Sequence, residues 1–137
     1  SVPQPEFSDE PALIVVLAHD SCGAVAAAIE QSGRTPSEVT EPVSNTLAPI
    51  LPAVQHYWLQ EHRETPYVES AKVEPNAIGR IHLQTTVTQL LSESQTIRDA
   101  VDRGEVAIVG CQYRLMEGRA VPYIAVGQLN IEVADVS

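Results

Sequence analysis

Leu13-Ile14-Val15-Val16-Leu17-Ala18-His19-Asp20-Ser21-Cys22-Gly23-Ala24-Val25 is the stretch whose reading decides the fold. The apolar run before His19 is rich in Val and Ile. It predicts a strand over 12–18 of the kind buried on both faces of a parallel sheet. A tight turn follows, carrying His-x-x-Cys-Gly, and then the start of a helix. An imidazole and a thiol thus sit three residues apart, at a strand end and a helix N-terminus. That is a place for a metal, because a helix N-terminus favours the thiolate form of cysteine that binds one.

Outward from this stretch, residues 1–11 contain three prolines and three acids and read as an extended leader. Residues 12–137 read as a single domain. Residues 22–31 are alanine-rich and helical, with Gly33 as the stop. Residues 34–45, with Pro36 and Pro42, read as a polar loop. Between Thr46 and His62, Leu47, Ile50, Leu51, Val54 and Trp58 recur at helical spacing. Pro49 and Pro52 predict an irregular or late start there. Residues 63–77 read as a loop. Ile78 to Val101 reads as helical, with a break near Ser92-Glu93-Ser94. Strands are predicted over 106–115 and 119–126, joined by a turn at Glu117-Gly118. The tail from Gln128 reads as a further short strand or a free end.

Strand, helices, strand, strand is an α/β pattern. A right-handed crossover places strand 106–115 beside strand 12–18 and parallel to it. Ligand sites gather at the carboxyl ends of such strands. Setting Ala107–Cys111 alongside Val15–His19 brings Cys111 toward His19 and Cys22.

The segment around His19 resembles the second metal-ligand motif of the β-class carbonic anhydrases. In that family a strand ends in Gly-His, followed by two variable residues, Cys-Gly and a small-residue helix; here Ala18 replaces the glycine. Gly104-Glu105-Val106-Ala107-Ile108-Val109-Gly110-Cys111-Gln112-Tyr113-Arg114-Leu115, with Glu117-Gly118-Arg119-Ala120-Val121, resembles the family's late strand and hairpin. Leu47–Val54 and Val87–Val101 are similar to its helical middle more loosely. The resemblance covers nearly all of the chain but only the second part of the family domain. It implies a truncated sheet of parallel strands plus a C-terminal hairpin, with flanking helices.

The same resemblance implies zinc, held by His19 and Cys22, and hydration of carbon dioxide to bicarbonate. The family's first motif, Cys-x-Asp-x-Arg, supplies a third ligand and an Asp-Arg dyad. It has no counterpart here, so no catalytic residue carries over. Catalytic zinc takes three protein ligands and an open position. Cys111 is then either a substitute third ligand or, more plainly, a small buried residue of a core strand. The alternative to an enzyme is a metal-poor relative acting as an assembly, regulatory or anion-binding module.

Other residues divide in the same way. Asp20, near the site with Gly23, either orients His19 or caps the following helix, and the cap is the plainer reading. His56 and His62 flank Trp58 without the i, i+4 spacing of a metal pair and read as surface positions. His82 points to nothing specific. Gln112 and Tyr113 read as strand-forming residues.

Composition narrows the partners. The chain has 137 residues and a formal charge of −10, with only eight basic side chains. Nucleic acid and anionic membranes bind clustered Lys and Arg, so neither is expected. No apolar run reaches the ~20 residues of a membrane span, and no secretory signal is expected. Two cysteines make no disulfide framework, so a reducing cytoplasm is the expected compartment. In the family fold strand 12–18 has another strand on its far side. Left as a bare edge it invites pairing, so it is expected to be covered either by the leader folded back or by another subunit, in a homo-oligomer whose simplest form is a dimer.

Overall fold

A computed structural model describes residues 12–33, 41–65, 67–129 and 133–134. The elements run β1 (Ala12–His19), α1 (Gly23–Gln31), α2 (Glu41–Leu47), α3 (Leu51–Glu61), a 3-10 turn (Ser70–Lys72), α4 (Pro75–Glu93), α5 (Gln95–Asp102), β2 (Val106–Arg114) and β3 (Arg119–Val126). The three strands form one sheet in the order β1-β2-β3. β1 and β2 are parallel, joined through the helices, and β2 and β3 form an antiparallel hairpin. This is the α/β arrangement expected from the order of the elements.

Helix boundaries follow capping chemistry. Glu74 accepts a hydrogen bond from the Asn76 N–H at 3.0 Å, and Pro75 opens α4 with its fixed φ. The helix therefore begins three residues before the expected Ile78. Ser94 accepts from the Ile97 N–H at 3.2 Å and caps α5, which makes the break expected near Ser92–Ser94. Residues 41–45 lie in α2 rather than in a loop, because Pro42 falls in a first helical turn, where proline costs no hydrogen bond. Residues 48–50 then separate α2 from α3, at the irregularity that Pro49 and Pro52 predict.

Two apolar clusters hold the molecule together. Val25, Ala28 and Ile29 of α1 pack with Leu47, Ile50, Val54, Trp58 and Ile78. The Trp58 indole N–H is satisfied at 2.7 Å by the Thr65 carbonyl. Leu83 of α4 packs with Val121 and Tyr123 of β3, and with Val16 and Ala18 of β1. Gly110 lets α4 approach the sheet: a Cβ there would lie 2.5 Å from Ile124 Cγ2 and 3.3 Å from Leu83.

The strand register departs from expectation at two places. Leu17 pairs with Cys111 and His19 with Tyr113, so β2 is shifted by two residues from the alignment that brought Cys111 beside His19. A two-residue shift keeps each side chain on its face, and is therefore the slip that an apolar pattern cannot detect. In the hairpin, Gly110 pairs with Ile124 and Cys111 with Pro122, so Tyr123 is the extra residue of a β-bulge. The bulge lets Tyr123 and Ile124, neighbours in sequence, both meet the α4 side of the sheet. It also accommodates Pro122, since an edge strand needs no outward N–H.

β1 is not buried on both faces as its continuous apolar run predicted. Leu13, Val15 and Leu17 are 49%, 52% and 58% exposed, while Ile14, Val16 and Ala18 are partly buried. Helix α4 packs against β1. The strand is also the edge of the sheet among them. The expected cover from residues 1–11 lies outside the described residues, as does most of the tail from Gln128.

Candidate metal centre

β1 delivers His19 at its carboxyl end. Asp20 and Ser21 form the turn, and Cys22 is the N-cap of α1, with φ −70° and ψ 120°. Ser21 has φ 53°, the single non-glycine residue with positive φ among the described residues. A left-handed conformation costs an L-residue about 1–2 kcal/mol, so the surroundings must hold the turn in place. The Asp20 N–H donates to the Tyr113 carbonyl at 3.0 Å, extending the β1-β2 ladder by one bond. The Asp20 carboxylate accepts from the Leu115 N–H at 3.1 Å. Asp20 is thus not the helix cap that sequence favoured. Its side chain reaches sideways to the β2-β3 turn instead.

His19 is exposed, and its Nδ1 lies 3.0 Å from the Asp20 carbonyl oxygen. A carbonyl oxygen only accepts, so Nδ1 carries the proton in this bond and the Nε2 lone pair is left outward. Metal-ligating histidines are oriented in this way, with the second nitrogen donating to a carbonyl or carboxylate. Cys22 is a free, half-buried thiol that forms no capping hydrogen bond. Beside it, a Cβ built on Gly23 would meet nothing within 4 Å, so the first turn of α1 is open on that side.

An imidazole nitrogen and a thiol from one short turn are zinc donors in kind. In number they are one short. Among the described residues no three His, Cys, Asp or Glu side chains gather where they could hold a metal ion. Cys111 does not fill the gap in this register. It sits opposite Leu17, about 7 Å down the sheet from the His19 position at the rise of a strand. It is 7% exposed, and burial pushes its thiol above the ordinary range.

The remaining histidines play other parts. His62 stacks on Trp58, with ring centroids 4.1 Å apart, and so is a packing residue rather than a plain surface one. His56 is exposed on α3. With His82 it lines a groove of about 630 Å³ between α3 and α4. The His82 Nδ1 is buried without a partner among the described residues, and burial lowers its pKa. Gln112, read from sequence as a strand former, is the one buried polar residue of the core among the described residues, 3% exposed. An amide in the middle of an otherwise apolar buried strand was the available signal.

Three comparisons bear on this geometry. The family model described as carbonic anhydrase matches residues 10–120. Carbonic anhydrase 2 of Mycobacterium tuberculosis is 33% identical over 123 residues, covering 88% of this chain and 53% of that protein. The carbonic anhydrase of Mycolicibacterium smegmatis is 32% identical over 109 residues, covering 78% and 47%. The chain therefore spans about half the length of the curated relatives it matches. Among solved structures, a tetrameric β-carbonic anhydrase of the filamentous ascomycete Sordaria macrospora superposes with a TM-score of 0.63 at 19% identity, covering 84% of this chain and 54% of that one. The β-carbonic anhydrase CcaA superposes at 0.60, with 19% identity and coverage of 87% and 52%. These likenesses show the fold, and the family match extends over most of the sequence. With the strand-turn-helix that carries His19 and Cys22, they establish that this chain belongs to the β-class carbonic anhydrase family.

Proposed function

We propose that this chain contributes two protein ligands, His19 Nε2 and Cys22 Sγ, to a zinc centre that hydrates carbon dioxide to bicarbonate once a third protein ligand joins them. The observation that carries the reading is the His19–Asp20 contact, which fixes the imidazole tautomer and leaves Nε2 bare in the same turn as an uncapped thiol. Zinc, when bound, lowers the pKa of a coordinated water to about 7, which makes hydroxide available at neutral pH. Asp20 holds the turn to the hairpin through Leu115, and the Asp20 carbonyl orients the imidazole.

A second reading has its own observation. The donors of the described residues number two where a catalytic zinc needs three. A metal-poor relative that keeps the fold for assembly follows from that count. The exposed apolar face of β1 suits such a role, since a bare apolar edge strand pairs readily with another chain. In either reading the assembly is a homo-oligomer, the dimer being its simplest form, in the cytoplasm.

Zinc per chain in untagged, reduced protein decides between them. The catalytic reading expects about one zinc per chain, lost in His19→Ala and in Cys22→Ser, and carbon dioxide hydration above the buffer background that disappears with the metal. Folded protein without zinc and without activity rejects it and leaves the metal-poor relative. Light scattering on the same sample tests the oligomer, and a compact monomer rejects pairing through β1.

A further inference from the structure

The free edge of β1 has a definite polarity. The Ala12 N–H donates to the Glu105 carbonyl and the Asp20 N–H to the Tyr113 carbonyl, both on the β2 side. In an extended strand the backbone groups of successive residues point to alternate sides. The even-numbered residues of β1 therefore bond to β2. Leu13, Val15, Leu17 and His19 turn their N–H and C=O groups outward, where no strand stands among the described residues. Leu13, Val15 and Leu17 are also the residues whose side chains are exposed. They lie on the face opposite Val16 and Ala18, which pack with Leu83. We propose that a second copy of this chain covers this edge, its β1 running antiparallel with Val15 opposite the partner's Val15.

Charge selects the occupant. The chain carries a formal −10, so two copies repel each other over most of their surfaces. Residues 12–19 contain no Asp, Glu, Lys or Arg, and neither proline nor bulge interrupts them. Exposed edges are ordinarily guarded by just those features. β1 is thus a neutral strip on which a like-charged copy meets no repulsion.

Symmetry sets the register. A closed dimer uses the same patch on both copies, and an antiparallel pair about a two-fold axis sets one residue opposite itself. Centred on Val15, Leu13 meets the partner's Leu17, and every outward-facing pair exchanges both backbone hydrogen bonds. The exposed side chains of both copies then stand on one face of the joined sheet, apolar opposite apolar. Centred on Val16, Leu13 would meet the partner's His19. Centred on Ile14, Leu17 would meet the partner's Pro11, which has no N–H to give. The Val15 register places the two metal-donor turns at opposite ends of the pair. The His19 positions stand about 27 Å apart, at ~3.4 Å of rise per residue. Two copies joined in this way share no metal across the interface, and the third zinc ligand is not the partner's His19 or the partner's Cys22.

This inference rests on the homo-oligomer of the proposed function and not on its zinc, so the two fail separately. Light scattering on the full chain, freed of metal with a chelator, should give a dimer, and His19→Ala should give the same. Val15→Lys sets like charges opposite each other and should give a monomer with the parent's far-UV circular dichroism. Single cysteines in a Cys22→Ser, Cys111→Ala background fix the register, and decide alone if Val15→Lys does not fold. Val15→Cys should oxidise to a covalent dimer, since hydrogen-bonded partners stand ~5.5 Å apart at Cα, within disulfide reach. Leu13→Cys and Leu17→Cys should each fail to cross-link alone, and should cross-link when the two are refolded together. A monomeric parent, its edge covered by the chain's own leader or by nothing, overturns the proposal. A dimer that forms only with zinc overturns it too, as does a dimer that a folded Val15→Lys leaves intact. Cross-linking of Leu13→Cys with itself overturns the register.

Discussion

The carboxylate of Asp20 accepts a hydrogen bond from the backbone N–H of Leu115 at 3.1 Å, across 95 residues of chain. Together with the bond from the Asp20 N–H to the Tyr113 carbonyl at 3.0 Å, it ties the His-x-x-Cys turn to the hairpin. The orientation of His19 thus rests on a residue tied to the hairpin by both its backbone and its side chain. Asp20→Ala should cost about 1.5–3 kcal/mol, the range for a hydrogen bond to a charged acceptor, while Asp20→Asn, which keeps an acceptor, should cost less. Urea denaturation measures both. Equal losses in the two variants would mean that the bond contributes nothing.

Gly110 is a steric prediction. Gly110→Ala puts a methyl group 2.5 Å from Ile124 Cγ2 and 3.3 Å from Leu83. Overpacking of this kind costs about 1–3 kcal/mol. Adding Ile124→Ala removes the closest atom, so the double variant should recover part of the loss. A thermal melt of Gly110→Ala matching the parent would disprove the close approach of α4 to the sheet.

His82 gives a pH dependence with a definite sign. Burial holds its pKa below the ordinary 6.5, so the unfolded chain binds a proton at a pH where the folded chain does not. Its contribution is complete above pH 6.5 and is lost as pH falls through the depressed folded value. His82→Leu removes both the unpartnered Nδ1 and this slope. Stability measured by urea denaturation between pH 7.5 and 5 should therefore fall more steeply in the parent than in the variant. Parallel curves would exclude His82 as the source.

The two thiols should separate by reactivity. Cys22 is half-buried at the open end of α1, and Cys111 is buried in the central strand. Iodoacetamide with mass-spectrometric readout should modify Cys22 faster by about tenfold or more. Because burial raises the Cys111 pKa above 9.0, the unfolded thiol ionises first. Stability from this group is thus lost as pH rises past 9.0, and Cys111→Ala should flatten that alkaline limb. Faster labelling of Cys111 in the folded protein would contradict its place in the core.

Much of the fold was legible because it rests on local rules. The apolar run before His19, the alanine-rich segment after Cys22 and the Glu117-Gly118 turn lead to β1, α1 and the hairpin without reference to the rest of the chain. Proline was harder to read. Pro42 and Pro75 suggested loops, but each sits in a first helical turn, where its missing N–H is harmless. The site was legible as far as His19 and Cys22, since both lie in one local turn. The polar pocket at the carboxyl ends of β1 and β2 was not, because Arg80, Gln112 and Tyr123 come from three elements.

By itself, then, the sequence determined the strands, most of the helices, the parallel crossover and the turn that carries His19 and Cys22, all of which follow from periodicity, turn chemistry and chain-handedness. Only the tertiary structure decided the pairing of Leu17 with Cys111, the bulge at Tyr123 and the exposed face of β1. A two-residue slip leaves every apolar residue on its own face, so the pattern is blind to it. A bulge depends on what the partner strand and α4 leave free. The burial of β1 depends on what stands next to it, and a strand does not encode its neighbour.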